Sequence, residues 1–164
     1  MEKEITEVYC GNGRGKTTLA IGQALRASSQ GKSVIIIQFL KGNERRELDF
    51  LEELDQLDIK IFRFEKMETC YDQLNEEEQV EEERNILNGL NFARKVIATQ
   101  ECDFLVLDEI LGLLDKHIAT VDMVVGLLKQ KDESMHLILT GNRVDPGILD
   151  YVDSVTTITT LGRE

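Results

Sequence analysis

The chain has 164 residues, 41% hydrophobic and 30% charged, which suits one soluble domain with a buried core. Nineteen basic residues against 31 acidic ones leave a net charge of −12, which excludes a global basic field for nucleic acid or anionic membrane. No apolar run reaches membrane-spanning length, and Met1-Glu2-Lys3-Glu4 is unlike a signal peptide. Cys10, Cys70 and Cys102 lack metal-ligand spacing and read as free thiols of a reducing cytoplasm.

Ile5 to Cys10 reads as a short strand, and Leu19 to Gln30 as an amphipathic helix stopped by Gly31. Between them lies Cys10-Gly11-Asn12-Gly13-Arg14-Gly15-Lys16-Thr17-Thr18. Glycines at such a turn let backbone N–H groups approach phosphate oxygens, and the following helix aims its positive end at the same anion. This predicts that Gly11, Asn12, Gly13, Arg14, Gly15, Lys16, Thr17 and Thr18 hold a nucleoside triphosphate. Lys16 reaches its outer phosphates, and the Thr17 hydroxyl holds a magnesium ion (Mg2+). The usual motif has glycine six residues before the lysine; Cys10 stands there, so the loop reads as one residue short.

Val34 to Phe39 is continuously apolar, as a strand buried on both faces is. Gln38 to Gly42 follows at the strand end where parallel sheets place ligands, making Gln38 and Lys41 candidates, although a strand cap and a solvent-facing lysine are the plain alternative. Arg45 to Leu57 carries leucines at 48, 51, 54 and 57, an amphipathic helix or a pair of helical turns. Ile59 to Phe64 alternates and reads as a strand near an edge, and Glu65 to Asn75 reads as a loop without evident chemistry. Asn75 is a predicted N-cap for a helix reaching Thr99, with Ile86, Leu90, Ala93 and Ile97 as its stripe and the glutamates at 76–78 and 81–83 as a solvated start.

Phe104 to Leu107 is an apolar strand ending in Asp108-Glu109, the expected partner of a phosphate loop: Asp108 holds magnesium directly or through water, and Glu109 assists or orients a ligand. Val121 to Lys131 reads as a helix, His136 to Leu139 as a buried strand, Asp145 to Val152 as a short helix opened by Pro146, and Val155 to Leu161 as a closing strand. His117 and His136 lack partners at ligand spacing and read as structural or exposed. Alternating strands and helices give an α/β three-layer sandwich on a mostly parallel sheet, and right-handed crossovers gather the loop, Gln38–Gly42, Asp108-Glu109 and Thr140–Arg143 at one edge.

In their order, Gly11–Thr18, Gln38-Phe39-Leu40-Lys41-Gly42, Val106-Leu107-Asp108-Glu109 and Thr140-Gly141 resemble the P-loop family of ATP:cob(I)alamin (corrinoid) adenosyltransferases. The resemblance implies a P-loop NTPase (recombinase-like) fold over 1–164 and transfer of the 5′-deoxyadenosyl group of ATP to the cobalt of a reduced corrinoid, releasing triphosphate. It implies catalytic roles for Lys16, Thr17 and Glu109, magnesium on Thr17, Asp108 and Glu109, a homodimer, and a flavoprotein as electron source. Cobalt(I) is the nucleophile in such a reaction, so no general base is needed, and none is evident. The chain departs from the family where Glu65-Lys66-Met67-Glu68-Thr69 replaces a Phe-Thr-Trp-Glu-Thr-like stretch, where Asn142 displaces the arginine of Thr-Gly-Arg to Arg143, in the short segment after Gly42, and in ending at Glu164 without the usual tail. Two alternatives remain open from the residues alone: a diverged ATP- and corrinoid-binding homologue without efficient transfer, and a P-loop ATPase or kinase with another substrate.

Overall fold

Six parallel strands form the centre of the molecule in the order β3-β2-β4-β5-β1-β6. The computed structural model describes residues 3–42 and 48–162. The strands are β1 (Thr6–Cys10), β2 (Val34–Gln38), β3 (Ile59–Arg63), β4 (Phe104–Asp108), β5 (His136–Thr140) and β6 (Ser154–Thr157). Between them run α1 (Lys16–Ser29), α2 (Glu76–Thr99), α3 (Ile110–Asp115), α4 (Val121–Gln130) and α5 (Pro146–Leu149). Every residue of β2 and β4 is buried, which is why Val34–Ile37 and Phe104–Leu107 read as unbroken apolar runs ahead of the polar strand ends Gln38 and Asp108.

Helices cover both faces. Ala20, Ile21, Ala24 and Ala27 of α1 pack with Ile36, Val106 and Ile138 on one side; α2, α3 and α4 pack with Ile37, Leu107 and Leu139 on the other. Alternate residues of a strand point to opposite faces, so the two clusters divide β1 to β5 between them. The three-layer expectation holds, and the sheet is parallel at every described pairing.

Asn75 caps α2 with a reciprocal box: its Oδ1 accepts from Glu78 N at 2.9 Å, and Glu78 Oε2 accepts from Asn75 N at 3.1 Å. Such a cap contributes about 1 kcal/mol. The predicted stripe Ile86, Leu90, Ala93 and Ile97 is buried along this helix.

Several elements differ from the sequence reading. The Arg45–Leu57 expectation begins outside the described residues; within them, Asp49–Glu53 is a 3-10 turn. Leucines spaced by three match three residues per turn better than 3.6, and only Leu51 is fully inserted. Helix α3 was not foreseen, because Ile110, Leu111, Gly112 and Leu113 are all buried and such a helix has no polar face to mark it. Glu82 is not part of a solvated acid run but is completely buried. The closing strand stops at Thr157, because the chain then turns across the glycine loop. His136 does have carboxylate partners, brought from β1 and the residues before it: Glu4 Oε2 at 3.1 Å and Glu7 Oε2 at 2.6 Å.

Candidate active site

β4 lies between β2 and β5, and its register sets Gln38 beside Asp108. Asp108 is fully buried and is the hub of the sheet edge. Its carboxylate accepts from the Thr17 hydroxyl at 2.9 and 3.1 Å, from the Thr140 hydroxyl at 2.7 Å and from Gln38 Nε2 at 3.2 Å. Lys41 Nζ stands 3.8 Å away. A buried carboxylate is tolerable only when its oxygens are engaged this fully. Gln38 is held in turn by Arg63 Nε, which donates to its Oε1 at 2.9 Å. Thr140 also accepts from Glu109 N at 2.7 Å, so one hydroxyl ties both acids of the strand end to β5.

The glycine loop divides by function. Gly11 N donates to Asn142 O, and Gly13 N donates to Ile158 O at 2.9 Å. The Arg14 amide donates to Thr160 Oγ1 at 2.8 Å. A Cβ on Gly11 would lie 2.3 Å from Ile158 O and one on Gly13 2.6 Å from the same atom. Close packing of the C-terminal segment therefore requires glycine at both positions, which the sequence reading did not anticipate. Gly15, at φ 105°, has open space where its Cβ would be and precedes α1 without any side-chain cap. The first amides of α1 lack intrahelical acceptors by helix geometry, and Lys16, Thr17 and Thr18, which carry them, line a cavity.

Two adjoining cavities open at this edge. One, of about 290 Å³, is lined by Gly13, Arg14, Gly15, Lys16, Thr17, Thr18, Lys41 and Glu109. The other, of about 420 Å³, is lined by Thr17, Thr18, Ile21, Gln38, Lys41, Leu48 and Arg63. Thr17, Thr18 and Lys41 form the shared wall. Gly11 and the exposed Asn12 line neither. The Lys16 ammonium is held at the first cavity by Gly11 O at 2.6 Å and by Gly13 O and Asn142 Oδ1, both at 3.2 Å. Asn142 thus occupies the place beside the loop lysine, while Arg143 turns away to Asp115 Oδ1 at 2.8 Å.

Glu109 has left-handed backbone at φ 64°, which swings its side chain off the strand line and into the first cavity. Burial pushes its carboxyl above the usual range; Lys41 and Lys16 pull it back, and Asp108 adds to the rise. Thr140, Asn142 and Arg63 complete the site's polar network and were not predicted as site residues. Thr140 and Asn142 lay at a strand tip already pointing there; Arg63 had no sequence signal beyond ending a strand. Among the described residues no three His, Cys, Asp or Glu side chains gather into a metal cage. What the site offers a cation is a hydroxyl beside a carboxylate, the oxygen set that magnesium uses together with phosphate and water.

The family model described as ATP:corrinoid adenosyltransferase BtuR/CobO/CobP matches residues 2–163. The corrinoid adenosyltransferase of Escherichia coli (strain K12) is 31% identical over 160 residues, covering 94% of this chain and 76% of the relative. That of Salmonella typhimurium is 28% identical over 158 residues, with the same coverage. Among solved structures, a KaiC-like protein from Pyrococcus horikoshii superposes with a TM-score of 0.61 at 18% identity, covering 94% of this chain and 71% of that one. That likeness speaks to the P-loop fold alone.

Proposed function

The chain belongs to the BtuR/CobO/CobP family of ATP:corrinoid adenosyltransferases, and we propose from that premise how its residues divide the transfer of a 5′-deoxyadenosyl group from ATP to a reduced corrinoid. The triphosphate takes the smaller cavity, where the α1 amides, Lys16 and Thr18 supply donors and positive charge. Adenosine takes the larger one, whose Ile21 and Leu48 suit a purine face. The observation that carries this reading is the shared wall of Thr17, Thr18 and Lys41: it is where sugar meets triphosphate, and so where the C5′–O5′ bond lies.

In the reaction the cobalt(I) electron pair attacks C5′. The C5′–O5′ bond breaks toward oxygen, and triphosphate departs with the bonding pair. No proton is transferred at the reacting carbon, so the step itself requires no general base. The protein's work is to orient ATP and to stabilise the growing negative charge on the leaving oxygen. Lys41 stands at the wall for that task, Lys16 at the far phosphates, and Glu109 at the cavity rim to orient ligand or metal-bound water. Thr17 and Asp108 would hold magnesium, with Glu109 nearby; when bound, the ion supplies charge neutralisation to the triphosphate. Gly11 and Asn12 shape the loop from behind.

Beneath the acceptor, the stretch Glu65–Thr69 presents Met67 half-buried as its only apolar side chain, with Lys66, Glu68 and Thr69 exposed. A homodimer and a flavoprotein that supplies the electron belong to this proposal through the family resemblance. No observation favours the ATPase or kinase alternative. The test is to mix the protein, ATP, Mg2+ and chemically reduced cob(I)alamin and to follow the visible spectrum. A light-sensitive adenosylcobalamin product is expected; its absence overturns the proposal.

A further inference from the structure

Lys41 reaches the shared wall from a loop with unusual backbone. Leu40 and Gly42, on either side of it, have left-handed φ of 60° and 65°. For leucine that conformation is disfavoured by contact between its Cβ and the backbone, so something must hold it. The holder is Glu65. One of its carboxylate oxygens accepts from Leu40 N and the other from Gly42 N, the latter at 2.8 Å. Both amides flanking Lys41 therefore converge on one carboxylate, an anion seated in a small concavity of backbone N–H groups.

Glu65 is itself anchored. It is 5% exposed, and the two residues after it are bound by the fully buried Glu82 of α2: Lys66 N at 2.9 Å and Met67 N at 2.8 Å. Asn85 Nδ2 donates to the same Glu82 at 2.8 Å. A Cβ on Gly42 would lie 2.8 Å from Glu68 O, so the two loops touch through backbone as well. The result is a continuous path from helix α2 through Glu82, the 65–67 backbone and Glu65 to the peptide groups on both sides of Lys41. Lysine has a long stem and gains a defined position only if its backbone is fixed.

We propose that Glu65 is a positioning residue for the transfer reaction, holding Lys41 at the junction of the two cavities through the amides of Leu40 and Gly42. This rests on the role given to Lys41 above. Glu65 is buried behind the loop, and its effect on the reaction passes through Lys41.

A double-mutant cycle on the full chain tests it, reading kcat and KM for ATP in the adenosylcobalamin assay. Glu65→Gln keeps the size but sets an NH2 group against one of the two amides. It is expected to lower kcat by about tenfold to hundredfold, the scale of a side chain misplaced by about an ångström, and to leave KM for ATP within about threefold. Lys41→Ala is expected to give a similar loss, and the double variant to be no worse than Lys41→Ala alone. Glu65→Asp keeps both acceptor oxygens on a shorter stem and is expected to recover part of the kcat lost in Glu65→Gln. If Glu65→Gln does not fold, the cycle is read with Glu65→Asp. Wild-type kcat in the Glu65 variants, or losses that multiply in the double variant, overturns the inference. Wild-type kcat in Lys41→Ala overturns the Lys41 role first, and the inference with it.

Discussion

The two loops at the sheet edge use one physical device in opposite ways. In the loop after β1, amides at the start of α1 face a cavity and have no side-chain cap. In the loop after β2, amides of Leu40 and Gly42 are taken by the protein's own Glu65. Each is a cluster of backbone N–H groups matched to an anion. In the proposed reaction the first receives its anion from outside, whereas the second has a carboxylate of the chain itself. A loop that must bind and release triphosphate keeps its donors available; a loop that must present one lysine has its donors satisfied, which stiffens it.

Lys16→Ala breaks the first half of this comparison most severely. It removes a charge-assisted contact to phosphate, about 2 kcal/mol or more, which corresponds to roughly thirtyfold or more in Kd for ATP. Titration calorimetry checks it, and unchanged affinity would remove the phosphate-loop assignment. Gly13→Ala tests the other side of the same loop. Its Cβ would meet Ile158 O at 2.6 Å and Thr160 N at 2.8 Å, both backbone atoms that cannot rotate away. We expect a stability loss of about 1–3 kcal/mol, seen as a lower Tm by about 2–4 °C per kcal/mol at this chain length. An unchanged Tm would show that the 158–160 segment is not held against the loop.

The smallest effect concerns Glu109 and pH. Its carboxyl is pushed above the ordinary value by burial, so the folded state holds the proton at a pH where the unfolded chain has released it. Stability from this group is therefore fully present below the ordinary glutamate pKa and is lost as pH rises through the elevated one. Glu109→Gln, which cannot ionise, is expected to melt higher than the parent at neutral pH, with the gap closing toward pH 4, while its kcat falls. Thermal melts across that range check the sign; a gap that widens on acidification would contradict it. Glu65 is shifted in the same direction by burial, but Glu65→Gln also forfeits an amide contact and so should not show the gain.

How much was legible in the sequence follows the same division. The strand-turn-helix around the glycine loop and the meeting of Thr17 with Asp108 could be read because these residues stand at spacings that local geometry dictates. The Asn75 cap and the α2 stripe were legible for the same local reason. Glu65 and Glu82 looked like loop and surface acids, because their partners are backbone amides 15 to 25 residues away and backbone amides leave no mark in a sequence. A second reason for glycine at positions 11 and 13 was hidden in a related way: the atoms that exclude a side chain there belong to Ile158 and Thr160, about 145 positions later. His136 meets Glu4 and Glu7 only because β1 and β5 are neighbours in the sheet.

In the proposed reaction this phosphate loop directs cleavage at C5′ and not between phosphates. Phosphorus NMR of a single turnover with ATP, Mg2+ and excess cob(I)alamin tests it directly. One inorganic triphosphate is expected for each adenosylcobalamin formed. ADP and orthophosphate in its place would contradict it.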